Sequence, residues 1–83
     1  MRGDEGGLRM SRVRSARERE YTRICRMQPD EATVRREYKI ADAKFREAVS
    51  EGNGSTESGA IIAERVGSRD AWAMYAEERG IKL

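Results

Sequence analysis

The chain has 83 residues and a mass of 9.4 kDa, which is enough for one small domain and excludes a two-domain protein. Leu, Ile, Val and Phe together supply only 12 of the 83 residues, so the hydrophobic core is expected to be thin. The formal net charge is only +2, and this near-balance removes the self-repulsion that would favour a disordered chain.

The sequence contains no histidine and one cysteine. Without histidine, the usual imidazole general base and every His-containing zinc site are excluded. Cys25 cannot form an internal disulfide alone, which favours a reducing, cytoplasmic setting. The remaining hydroxyl and carboxyl side chains show no spacing typical of a catalytic pair or a calcium loop, and no apolar run is long enough to cross a membrane. We therefore expect a protein without enzymatic activity, metal, cofactor or membrane segment.

Basic residues are concentrated near the N-terminus. Residues 8–27 contain seven arginines and two glutamates, whereas residues 29–83 carry nine basic and eleven acidic side chains. The chain is therefore a basic N-terminal segment joined to a mildly acidic body.

The N-terminal segment predicts a leader followed by a helix. Residues 1–7 contain three glycines and no periodicity, so they are interpreted as a disordered, flexible leader before a single domain over 8–83. Over about 8–27, apolar residues share one wide arc of a helical wheel, which Arg17 and Glu20 interrupt. Two charges in such an arc favour a homodimer in which Arg17 and Glu20 pair across the interface. The apolar arc contains Met10, Val13, Ala16, Tyr21, Ile24 and Met27.

A second helix is predicted over about 29–50. Pro29 suits a first-turn position, and Asp30 and Glu31 favour the positive end of a helix dipole. Its apolar stripe is free of charges, so we expect this helix to be the spine of the domain. The stripe contains Val34, Tyr38, Ala41, Phe45 and Ala48.

The C-terminal third predicts a polar loop over 51–58 and two short helices, about 58–66 and 69–79. Gly67 is expected to end the first of these, and Gly80 the second, with Ile81 folding back. One continuous helix through Gly67 is the alternative, at a cost of about 1 kcal/mol for the glycine. The broken version resembles a helix-turn-helix. The fold is thus predicted to be all-α, a small bundle of three to four helices.

Arginines on the first predicted helix fall in one row, which we call the α1 ridge. Its members lie at i, i+7, i+11 and i+14, a spacing that stacks guanidinium groups beside a row of phosphates. The second helix adds a weaker basic flank. Solvated faces of amphipathic helices would give the same pattern. The ridge consists of Arg12, Arg19, Arg23 and Arg26, and the flank of Arg35, Lys39 and Arg46.

Trp72, Met74 and Tyr75 lie in a segment that is apolar on all sides. One helix face cannot bury all of them, and Trp and Tyr are frequent in protein interfaces, so they form a candidate protein-binding patch. The alternative is that a thin core requires them.

These observations favour a small, non-enzymatic, cytoplasmic nucleic-acid-binding accessory protein of phage or mobile-element type, which contacts phosphates through its first helix. The alternative is a protein–protein interaction module, such as an adaptor, inhibitor or assembly component, that uses the patch around Trp72.

Overall fold

A computed structural model describes the backbone of residues 4–83 and the side chains of residues 11–83. This part of the chain forms three α-helices, α1 (Asp4–Met27), α2 (Glu31–Glu51) and α3 (Thr56–Glu78), and no strand. The prediction of an all-α bundle is therefore confirmed. Helix α1 begins four residues before the predicted start, and residues 1–3 of the predicted leader lie outside the described residues.

The helix ends follow local sequence signals. Asp30 caps α2 by accepting a hydrogen bond from the backbone N–H of Thr33 at 2.8 Å, so α2 begins after Pro29 rather than at it. Ser55 caps α3 in the same way through the backbone N–H of Ser58 at 3.1 Å. At the other end of α3, Gly80 adopts a φ of 71°.

The predicted helix break at Gly67 is wrong, and the continuous alternative is correct, because α3 runs unbroken from Thr56 to Glu78. Gly67 is buried against α1, where a Cβ atom would lie 2.6 Å from Cβ of Ala16 and 2.7 Å from the carbonyl oxygen of Val13. The glycine therefore serves close helix packing, which outweighs its low helix propensity. Without a turn at this position, the resemblance to a helix-turn-helix is also lost.

The central helix is α3, not α2 as predicted. Helix α3 packs against both other helices, whereas no Cα atoms of α1 and α2 approach within 8 Å of each other. Within α2, Val34 and Ala41 are buried, while Phe45 is half-buried under the guanidinium group of Arg69. The main core lies around the C-terminal half of α3 and contains Ile24, Val34, Ala41, Ala71, Trp72, Tyr75 and Ala76.

Candidate nucleic-acid interface

All four arginines of the α1 ridge are exposed along one side of α1. The ridge spans about 20 Å from Arg12 to Arg26, since an α-helix rises about 1.5 Å per residue. Two buried residues of α1 fix the orientation of the ridge. Ala16 packs against α3 and Ile24 lies in the core, so the ridge faces solvent. The predicted alignment of these four side chains is therefore present in the folded chain.

One ridge member, Arg23, is held by a carboxylate. Its Nε and Nη2 atoms donate to the two carboxylate oxygens of Glu20 at 2.8 and 2.6 Å. The same carboxylate accepts hydrogen bonds from Nε1 of Trp72 at 3.1 Å and from Oγ of Ser68 at 3.4 Å. These bonds, led by that from Arg23, hold the pKa of Glu20 below its usual value, although partial burial opposes them. Glu20 is thus satisfied within one chain.

These hydrogen bonds show that the predicted ion pair of Glu20 is wrong. We expected Glu20 to pair with Arg17 across a dimer interface, but its partners are Arg23, Ser68 and Trp72 of the same chain. The polar gap in the apolar arc is therefore a link between α1 and α3. A homodimer stays a prediction, and it no longer follows from these two charges.

The N-terminal half of the ridge is accompanied by hydroxyl groups that the sequence analysis did not assign. Ser11 and Ser15 line the same shallow surface as Arg12 and Arg19. Serine hydroxyls and arginines are both frequent donors to phosphate oxygens. Glu64 of α3 borders this surface at 3.9 Å from Arg19, and both side chains are largely exposed, so solvent screens this pair. The sequence could have indicated this hydroxyl pair, because two serines at i and i+4 of a predicted helix lie on the same face.

The basic flank of α2 does not join the α1 ridge. Arg46 binds Asp42 at 3.1 Å, and Asp42 also accepts from Arg69, which lies over Phe45. At about 100° per residue, the flank lies on the opposite side of α2 from the residues that face Arg23. Arg35, Lys39 and Arg46 are exposed but belong to a separate surface.

The side of α2 that does face Arg23 borders a small polar cleft of about 120 Å³ above α3. Each helix contributes one basic side chain to it, namely Arg23, Lys44 and Arg65. Two carboxylates, Glu20 and Glu37, also line the cleft. Lys44 and Arg65 were not assigned from the sequence, because nothing local places them beside the first helix.

The three residues of the predicted protein-binding patch are separated by the fold. Trp72 and Tyr75 are each only 2% exposed and belong to the core, as the alternative interpretation held. Met74 is 37% exposed and points away from that core. The patch around Trp72 is therefore not a continuous surface in this conformation.

A different apolar surface lies at the other end of the bundle, where Val13, Val49 and Ile62 line an open groove of about 420 Å³. Most of its α3 residues lie N-terminal to those of the polar cleft, and the two surfaces share no lining residue. It gives the bundle an apolar face distinct from the basic one.

No cluster of metal-binding side chains occurs within the described residues. None of α1, α2 and α3, as far as they are described, has an apolar stretch long enough to cross a membrane. Comparisons of the chain with protein families, with curated proteins and with solved structures find no match.

Proposed function

We propose that this chain is a small, non-enzymatic, cytoplasmic nucleic-acid-binding protein that contacts backbone phosphates through the α1 ridge. The observation that carries the proposal is the exposure of four aligned arginines on one helix. Arginine presents bidentate donors that match phosphate oxygens, and a helix fixes the spacing of these donors. The expected binding is independent of base sequence and strongly dependent on salt.

The charges on this side of the bundle support the proposal. Among the described side chains, no carboxylate lies within 4 Å of Arg12 or Arg26. Arg19 has only the long, exposed contact with Glu64. Within residues 11–83, Arg23 is the one ridge member in a close ion pair, so the two ends of the ridge are its most available phosphate contacts.

The test is a double charge reversal at the ends of the ridge, Arg12→Glu with Arg26→Glu. Arg23 is unsuitable because its loss would disturb Glu20 and Trp72. We expect the wild type to bind a random DNA duplex in a fluorescence anisotropy titration, with affinity falling steeply as salt increases. The reversal should abolish binding, because each reversed group replaces attraction to phosphate by repulsion.

The matched control is Lys39→Glu with Lys82→Glu, which changes the net charge equally on exposed positions outside α1. It should retain binding apart from a general weakening. If the wild type fails to bind duplex or single-stranded DNA or RNA at about 20 mM salt, the proposal is wrong, since phosphate contacts are strongest at low salt.

The apolar groove favours a second candidate function, a protein-interaction module. Val49 lines it and is 49% exposed, and Val13 and Ile62 line it as well. An interaction of this type buries apolar surface and is insensitive to moderate salt, which distinguishes it from phosphate binding.

A further inference from the structure

We infer that the polar cleft beside Trp72 continues the α1 ridge and receives a backbone phosphate, with Lys44 and Arg65 as additional phosphate contacts. This inference rests on the proposed function, because it names further residues of the same nucleic-acid site. It also assigns the path of the bound strand, from the N-terminal half of α1 toward α3 and α2.

Continuity between ridge and cleft comes from Arg23, which is a member of both. Lys44 of α2 and Arg65 of α3 lie across the cleft from it, and both are exposed. A strand that follows the ridge therefore meets basic side chains from all three helices. The cleft is small, about 120 Å³, and most of its lining side chains are charged or polar, which suits a phosphate group.

The acids of the cleft are already engaged by the protein. Glu20 accepts hydrogen bonds from Arg23, Ser68 and Trp72. Glu37 lies 3.7 Å from Arg36. The pKa of the Arg23 guanidinium group is raised, first by its hydrogen bond with Glu20 and last by the charge of Glu37. Three basic and two acidic side chains leave the cleft with one positive charge, which complements a single phosphodiester.

On the opposite side of α2, two of the three basic side chains are already paired within the protein. Arg35 binds Glu31 at 2.6 Å and donates to the backbone carbonyl of Lys82, and Arg46 binds Asp42. By contrast, no described carboxylate lies within 4 Å of Lys44 or Arg65. The phosphate contacts of α2 therefore belong to the Lys44 side, because Arg35 and Arg46 are paired with acids and Lys39 lies on the side of α2 that faces away from Arg23.

The test compares two charge-matched pairs of substitutions in the full chain, Lys44→Gln with Arg65→Gln, and Lys39→Gln with Arg46→Gln. Binding of a random duplex is measured by fluorescence anisotropy at several salt concentrations. The first pair should lower the slope of log K against log salt by about 0.9 for each of two lost contacts, and the second should leave the slope unchanged. Each single variant and a circular dichroism spectrum establish that any loss does not come from unfolding.

The outcomes separate the inference from the proposed function. Equal slope changes for the two pairs, or a change confined to Lys39 and Arg46, would overturn the inference while leaving phosphate binding by α1 intact. A wild type that binds no nucleic acid at low salt would overturn the proposed function itself. A lower salt slope only in the Lys44 and Arg65 variants would establish the cleft as part of the binding surface.

Discussion

Gly67 sets how closely α1 and α3 approach each other. A Cβ atom at this position would lie 2.6 to 2.8 Å from atoms of Ala16, Val13 and Arg17, and two of those three atoms belong to the α1 backbone. Backbone atoms cannot move aside as the end of a flexible side chain does. The contact therefore requires glycine because of packing, not because of a left-handed conformation.

Gly67→Ala should destabilise the protein by about 1–3 kcal/mol, because α1 must shift to accommodate the methyl group. Gly59→Ala, in the same helix, should stabilise it by about 0.5–1 kcal/mol, because a Cβ there meets nothing within 4 Å and alanine favours the helix. Urea denaturation followed by circular dichroism measures both free energies. A Gly67→Ala variant that is as stable as the wild type, or more stable, would contradict the packing role of Gly67.

Glu20 links α1 to α3 through its ionised carboxylate, and this makes stability depend on pH. Its pKa is lowered from 4.5 in the folded chain, first by the hydrogen bond from Arg23, so ionised Glu20 stabilises the fold above pH 4.5. That contribution is lost as the pH falls through the lowered value. The Glu20→Gln variant has a neutral side chain at this position, so it has no ionisation-dependent stabilisation to lose at low pH.

We therefore expect the difference in free energy of unfolding between wild type and Glu20→Gln to be constant above about pH 6 and to shrink toward about pH 3. Asp30, whose pKa is also lowered by its hydrogen bonds with Thr33, is present in both proteins and cancels from the difference. Urea titrations at the two pH values provide the measurement. A difference that stays the same at both would mean that the Glu20 carboxylate does not stabilise the fold.

At the scale of the helices, α1 and α3 are both followed by a residue with positive φ, but the two residues are of different types. Gly80 has a φ of 71°, and the backbone N–H of Ile81 bonds to the carbonyl of Ala76 at 2.8 Å, which closes α3 as the sequence predicted. Gln28 follows α1 with a φ of 48°, although it has a side chain. The end of α1 is therefore the strained one.

Substitutions at Gln28 and Gly80 are expected to have opposite effects on the stability of the protein. Gln28→Gly should stabilise the protein by roughly 0.5–1 kcal/mol, because it removes the steric cost of a side chain at positive φ. Gly80→Ala should cost about 1 kcal/mol for the same reason, since no atom lies within 4 Å to add a clash. Thermal melts of both variants provide the comparison, and a destabilised Gln28→Gly variant would contradict the assigned strain.

For the whole molecule, the position of α3 makes folding depend on one element. Helices α1 and α2 each pack on α3 and have no close backbone contact with each other, so neither forms a stable pair without it. Trp72 lies at this junction, with its indole bonded to Glu20 of α1 and its ring in one core with Val34 of α2. Docking of all three helices is therefore expected to be a single event.

Trp72 is the only tryptophan, so its fluorescence reports this junction alone, whereas circular dichroism reports total helix content. We expect the two signals to give coincident urea transitions with the same midpoint. A fluorescence transition at lower urea than the loss of helix would show that α1 or α2 separates from α3 before the helices unfold.

Local sequence signals predicted the elements of this fold well. Asp30 lies at the start of α2, and Gly80 follows the end of α3, as the sequence analysis expected. Each of these features depends on residues within a few positions of one another, so the sequence alone can predict it. The exposed alignment of the α1 ridge follows from helical periodicity in the same way.

The sequence by itself therefore determined the all-α class, the positions of most helix ends and the row of arginines on α1, because each arises from contacts along one helix. Only the tertiary structure decided that α3 is central and unbroken at Gly67, that Trp72 and Tyr75 are buried, and that Lys44 faces Arg23. These features depend on which helix faces pack together. Helix periodicity identifies an apolar face but does not name its partner, and a glycine that ends one helix in isolation allows close packing when a second helix lies against it.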